Sequence, residues 1–219
     1  MLKYFFKLVI NIVVDFLYPK HCVVCNRMLG EFTDIPICSR CHSKEIIPLC
    51  VKDDKYTFSE AVGVLKYEGN VKEVMLKYKF QSVGYYAKAY AYIMDKVTSD
   101  RPYLKEAVMC NVPMCEGRDR DYNQTALIAK ELSSIWNSEY EPNLLYRCRD
   151  VNPLSKMKLD ERRFYIKNSI SVNPEYNIFG KDVILIDDIF TSGTTAEECA
   201  RVLKMYGAGK VYVLCACYD

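Results

Sequence analysis

The chain has 219 residues, enough for one full hydrophobic core and a small satellite module. Lys and Arg total 30 against 28 Asp and Glu, and a formal charge of +2 excludes the general polyanion field of non-specific nucleic-acid binders. Half the residues are hydrophobic and 26% are charged, which excludes disordered and collagenous chains.

Residues 1–19, MLKYFFKLVINIVVDFLYP, set Lys3 and Lys7 before an apolar stretch and so have the outline of a signal peptide. Asn11 and Asp15 interrupt that stretch, no small-x-small cleavage site follows, and ~20 uninterrupted apolar residues are needed to span a bilayer. Phe5, Leu8, Val9, Ile12, Val13 and Phe16 recur at i, i+3, i+4 spacing. They predict an amphipathic helix packed on the body or on a partner, with no membrane span.

Eleven cysteines would suit disulfides in a small secreted chain, but four stand as two C-x-x-C pairs and the rest fall singly in apolar surroundings. That distribution points to a reducing, cytoplasmic location. Cys22, Cys25, Cys38 and Cys41 form the pairs, and the segment between them contains Gly30 and Pro36, which suits two knuckles joined by a hairpin. Four thiolates at this spacing predict a structural zinc site whose closed shell leaves no position for a reacting water. His21 and His42 flank the pairs, but the cysteines already complete the shell. Cys50 is expected to pack as a small apolar group.

Beyond this module, Glu60–Tyr67 predicts a strand that ends in the turn Glu68-Gly69-Asn70. Val71–Lys79 and Ala87–Val97 predict helices, Ala107–Val112 a strand, and Asn123–Trp136 a helix. Lys77 and Lys79, and Arg118 and Arg120 before Tyr122-Asn123-Gln124, are candidate cations for a pyrophosphate group.

The C-terminal stretch is the most informative. Val183–Ile186 has the β-branched and aliphatic run of a strand covered on both faces; Ala196–Tyr206 predicts a helix and Val211–Ala216 a further strand. Asp187 and Asp188 stand at the carboxyl end of the first strand, where α/β sheets place ligands, and Thr191, Ser192, Gly193, Thr194 and Thr195 lead into the helix. Hydroxyls around a glycine let amides and side-chain donors converge on one anion at the positive helix end. The loop lacks the GK[ST] lysine of a nucleoside-triphosphate loop, so a monophosphate is the expected guest. Two adjacent carboxylates repel, and a diol such as ribose presents, with magnesium nearby, offsets that repulsion. An ordinary helix N-cap would need only one of these residues.

The stretch VILIDDIFTSGTT resembles the thirteen-residue signature of type I phosphoribosyltransferases. A four-cysteine ribbon, YEGNVKEVMLKYKF, VPMCEGRDRDYNQTALIAKEL, RCRDVNPLSKMKLDERR and this loop, taken together, resemble the ComF family of competence proteins over nearly the whole chain. The resemblance implies an α/β, type I phosphoribosyltransferase-like fold, a mostly parallel sheet with helices on both faces, and a role in DNA uptake during natural transformation. It implies phosphoribosyl pyrophosphate or a nucleotide as ligand, with single-stranded DNA and a DNA-uptake helicase as partners. On this reading Asp187, Asp188, Arg118, Arg120 and Lys79 are the catalytic candidates, and Thr191 to Thr195, Asn123 and Gln124 join the acids in binding.

Several residues depart from the family pattern. Cys115 and Glu116 replace a histidine and proline, and Asp121 replaces a glycine. Asp150-Val151-Asn152-Pro153-Leu154 lacks a glutamine found in relatives, while Asp160-Glu161-Arg162-Arg163 is retained in an expected hood over the site. Thr191 stands where oxopurine transferases have an aspartate, which argues against hypoxanthine or guanine as acceptor. Both histidines flank the cysteine pairs, so histidine acid–base catalysis is not expected in the main domain. The expected organisation is a helix and ribbon over residues 1–54 and a phosphoribosyltransferase-like domain over 55–219. Two functions stay open: transfer of ribose 5-phosphate to an unidentified base, and a non-catalytic DNA-uptake accessory that kept the sugar-phosphate cup.

Overall fold

The computed structural model describes residues 20–30, 33–44, 46–80, 84–114, 123–148 and 166–219. The expected helix over the first 19 residues lies outside them. Five strands form the main sheet: β1 (Leu49–Val51), β2 (Glu60–Lys66), β3 (Val108–Asn111), β6 (Val183–Phe190) and β7 (Val211–Tyr218). Their order is β1-β2-β7-β6-β3, with β1 antiparallel to β2 and every other pairing parallel. A separate antiparallel pair joins β4 (Leu145–Arg147) to β5 (Ile170–Val172). A mostly parallel sheet between layers is the architecture expected from the sequence.

Alternation along the strands divides the interior into two cores, since successive side chains point to opposite faces. Ile184, Ile186, Leu214 and Ala216 pack on one face against α2 (Gly69–Phe80), α3 (Tyr86–Val97) and α4 (Gln124–Trp136). Val183, Leu185, Val213 and Cys215 pack on the other against α5 (Thr194–Met205) and the β4–β5 pair. Sandwiched strands have no polar face, and for that reason Val183–Ile186 reads as an unbroken apolar run.

β6 and β7 run further than the sequence suggests, while β2 and β3 stop short of their expected ends. β6 continues through Asp187 and Asp188 to Phe190, because Asp187 pairs with Cys215 and Ile189 with Cys217 of β7. Helix α5 begins at Thr194, two residues before its first apolar position.

The cysteine module packs directly on the first core. Cys22, Val23, Ile37 and Cys41 share a cluster with Val74, Met75 and Tyr90. Short α1 (Ser39–His42) ends in His42, whose ring stacks on Tyr92 and meets its hydroxyl at 2.6 Å. Lys96 donates to the His42 carbonyl, so this histidine belongs to the packing against α3.

Gly63 shows how tightly the sheet closes. A Cβ there would lie 2.5 Å from the Cβ of Tyr218 on the adjacent strand. Gly63→Ala is expected to lower stability by about 1–3 kcal/mol through overpacking, read as the urea midpoint. An unchanged midpoint would contradict the packing described.

Candidate functional site

The acid pair sits where β6 leaves its apolar section, and both side chains remain partly covered. Asp188 accepts a 2.7 Å ion-pair hydrogen bond from Lys79 Nζ, in the last turn of α2. Lys79 is held there by a join between two helices: its carbonyl accepts from Gln124 Nε2 at 3.1 Å, and the Tyr78 hydroxyl donates to the Gln124 carbonyl at 2.7 Å. Lys79 thus lies beside the acid pair. Its neighbour Lys77 instead pairs with Glu73 and donates to Asn26 in the first cysteine knuckle.

Asp187 accepts its neighbour's backbone N–H at 2.8 Å. Burial, then the charge of Asp188, push its carboxyl up from 3.8 to about 7; the Asp188 amide, Lys79 and Arg147 pull the other way. Arg147 was missed as a site residue by sequence reasoning, although it opens the RCRD stretch. It ends β4 and donates to the Pro113 carbonyl at 3.1 Å and to Ser169 Oγ at 3.4 Å.

The loop from Thr191 to Gly193 is only three residues long. Gly193 has φ +71, a region that side chains rarely adopt, and an added Cβ would also lie 3.0 Å from the Phe190 ring. Beneath it Tyr56 stacks on Phe58, and Phe58 meets Phe190 edge-on. Ser192 and Thr194 hydroxyls share a 2.8 Å hydrogen bond.

The N-terminus of α5 has no side-chain cap. The start of α4 differs: there Asn123 Oδ1 accepts from the amides of Thr125 and Ala126. The two acids in the first turns of α5 are held elsewhere. Glu197 accepts from the Thr57 amide and hydroxyl, and Glu198 is bound by Arg201 and the Asn168 amide. The open amides and hydroxyls of this end therefore keep their positive character, which suits a phosphate.

Asn123 and Gln124 open α4. Asn123 is the α4 cap, and Gln124 is buried against Lys79. Arg118, Arg120, the Cys115–Asp121 departures, Asp150–Leu154 and the Asp160–Arg163 hood lie outside the described residues.

Cys22, Cys25, Cys38 and Cys41 come together, with their sulfurs all within 4.8 Å of one another and Cys25 and Cys38 at 3.7 Å. Four sulfurs bound tetrahedrally at ~2.3 Å would be ~3.8 Å apart, so the cluster fits one metal ion. Burial pushes the Cys22 and Cys41 thiols up, so four thiolates need a cation to coexist. Among the described residues no helix is long and apolar enough to cross a membrane.

No protein-family profile matches the chain. Competence protein F of Haemophilus influenzae is 24% identical over 88% of this chain and 87% of its own length. DNA utilization protein YhgH of Escherichia coli K12 is 24% identical over 90% and 89%. Its relatives are competence and DNA-utilization proteins. Competence protein ComFC of Bacillus subtilis is similar too, at 25% identity over 86% of this chain and 79% of that one. These match the resemblance read from the sequence motifs.

Among solved structures, a glutamine phosphoribosylpyrophosphate amidotransferase from B. subtilis, complexed with ADP and GMP, is similar at TM-score 0.44 and 18% identity. The match covers 65% of this chain and 30% of that one. A hypoxanthine phosphoribosyltransferase from Staphylococcus aureus gives 0.38 and 16%, over 59% and 61%. Scores this low carry no weight, and the fold is described by its own strand order.

A folded-state carboxyl above its unfolded value holds a proton that the unfolded chain has released. Asp187 therefore lowers stability as pH rises between about 4 and 7. Asp187→Asn is expected to raise stability by ~1–3 kcal/mol at pH 8 and to change it little at pH 4. Urea unfolding across that range checks this, and a gain independent of pH would contradict the assignment.

Proposed function

We propose that the chain binds a phosphoribosyl group, with the 5-phosphate on Thr191, Ser192, Gly193, Thr194 and Thr195 and the ribose diol on Asp187 and Asp188. The observation that carries this reading is the uncapped start of α5, set a short loop beyond an acid pair on the same strand. An ordinary cap explains neither the glycine-centred hydroxyls nor carboxylates placed in a sheet. The expected ligand is phosphoribosyl pyrophosphate, whose diphosphate brings magnesium. Lys79, near the acids, supplies positive charge toward the departing diphosphate. Arg118 and Arg120 are proposed for the same task.

The names of the relatives support service in DNA uptake or utilization. Two activities fit. One is transfer of ribose 5-phosphate to an unidentified nitrogen base, in which the C1–N bond forms as the C1–O bond to diphosphate breaks and fixed positive groups stabilise the leaving oxygens. The other is a non-catalytic accessory that senses a nucleotide, or docks single-stranded DNA and a helicase. The engagement of Asn123 and Gln124 in capping and core packing favours the second. Pyrophosphate release with pooled nucleobases separates them.

Isothermal titration with phosphoribosyl pyrophosphate and magnesium is expected to show saturable binding, weakened at least ~10-fold, about 1.4 kcal/mol, in Asp188→Asn. Absence of binding to the unaltered chain would remove the proposal.

The metal proposed for the four cysteines is zinc, held by Cys22, Cys25, Cys38 and Cys41 and serving structure. The proposed organisation is an N-terminal helix and ribbon over 1–54 and a phosphoribosyltransferase-like domain over 55–219, in a reducing cytoplasm. Protein purified without chelator is expected to carry about one zinc per chain, and chelation to lower its melting temperature. Metal-free protein of unchanged stability would exclude the site.

A further inference from the structure

Arg147 is a half-buried guanidinium that forms no ion pair among the described residues. Its fork is fixed by two separate segments. The Pro113 carbonyl, just beyond β3, accepts from Nε, and Ser169, just before β5, accepts from Nη1. Ser169 is itself anchored, 1% exposed, with its hydroxyl donated to the Ile166 carbonyl at 2.7 Å. A cation is thereby held in one direction, at the cost of ordering a long side chain.

Alternation along β6 says what lies in that direction. Val183 and Leu185 belong to the core that also holds Leu145, Ile170 and Val172 of the β4–β5 pair. Asp187 shares their side of the strand, whereas Asp188 shares the side of Ile184 and Ile186, where Lys79 meets it. The Val112 amide donates to the Ile186 carbonyl at 3.0 Å, so Pro113, which holds Arg147, lies alongside the acid pair on β6.

We propose that Arg147 is a positioning residue for the acid pair, keeping the Asp187 carboxylate charged and oriented for a hydroxyl-bearing ligand. The proposal rests on the phosphoribosyl reading for the ligand but not for the contact. The groups that bear on Asp187 are Asp188 along the strand, Lys79 from α2, Cys199 from α5, Cys215 from β7 and Arg147 from β4. Burial pushes both thiols up, so they stay neutral, and the favourable charges come from Lys79 and Arg147. Lys79 is already paired with Asp188. Arg147 is the cation left to balance Asp187.

The test compares the unaltered chain with Arg147→Met, Arg147→Lys and the double variant with Asp187→Asn, across pH 5 to 9. Without the guanidinium Asp187 takes up its proton more readily. Arg147→Met should therefore weaken binding of phosphoribosyl pyrophosphate with magnesium ~10-fold near pH 6.5 and less than ~3-fold near pH 8.5. Arg147→Lys should restore part of the loss. Equal weakening at every pH would overturn the proposal.

A second readout needs no ligand. The decline of the urea midpoint with rising pH should extend to higher pH in Arg147→Met, and the extension should vanish when Asp187 is already Asn. If the unaltered chain binds no phosphoribosyl pyrophosphate yet this extension appears, the ligand reading falls and the Arg147 assignment stands. Identical unfolding profiles with and without Arg147 overturn the assignment whatever binds.

Discussion

Two neighbouring carboxylates built into a covered strand are tolerable only where positive charge is brought to them from outside that strand. The rest of the site follows from this constraint. Alternation sends the acids to opposite faces, and Lys79, which pairs with Asp188, also bears on Asp187 together with Arg147. Lys79 reaches Asp188 from a helix on one face at 2.7 Å. Arg147, at the end of β4 on the other, is the cation proposed for Asp187. The balance is incomplete, since Asp187 still lies well above its ordinary value. A ligand that donates hydrogen bonds from a diol would relieve the remaining repulsion, which links the strain of the acid pair to ligand affinity.

Helix α2 joins this site to the cysteine module. Lys77 and Lys79 leave the helix about 200° apart at 100° per residue, so one reaches a cysteine knuckle while the other reaches the acids. Asn26, which receives Lys77, has φ +57 in the turn after Cys25. The shape of that turn depends on how the four sulfurs are held together. The cysteine cluster and the acid pair therefore meet the same last turn of α2 from different sides.

The strand, loop, helix and strand of the C-terminal third were legible because each carries a strong local signal. These are an unbroken β-branched run, a glycine forced to positive φ, and an apolar helical face in Ala196, Cys199, Ala200 and Leu203. The cysteine cluster was legible from spacing alone. The ends of β6 were not, since two aspartates have low strand preference and only pairing with β7 extends the strand through them. β1, β4 and β5 have three residues each, too few for a period-two pattern to stand out. Arg147 escaped notice for a related reason: its neighbours Pro113 and Ser169 are distant in sequence, and no motif connects them. The sequence groups Gln124 with Arg118 and Arg120, and the approach of α2, which buries it against Lys79, has no signal in that motif.

The position of β7 has a consequence for how the molecule assembles. It lies between β2 and β6, yet β2 ends at Lys66 and β7 begins at Val211. Until that late segment inserts, β2 and β6 each present an unpaired inner edge, and the centre of the sheet cannot nucleate from local contacts. Such a topology has high contact order and a correspondingly slow, concerted closure. Helices α2 and α3 must wait, loosely formed, for the surface they cover. During synthesis the nascent chain is thus open to edge-to-edge association for longest at β2 and at β6, the strand that carries the acid pair.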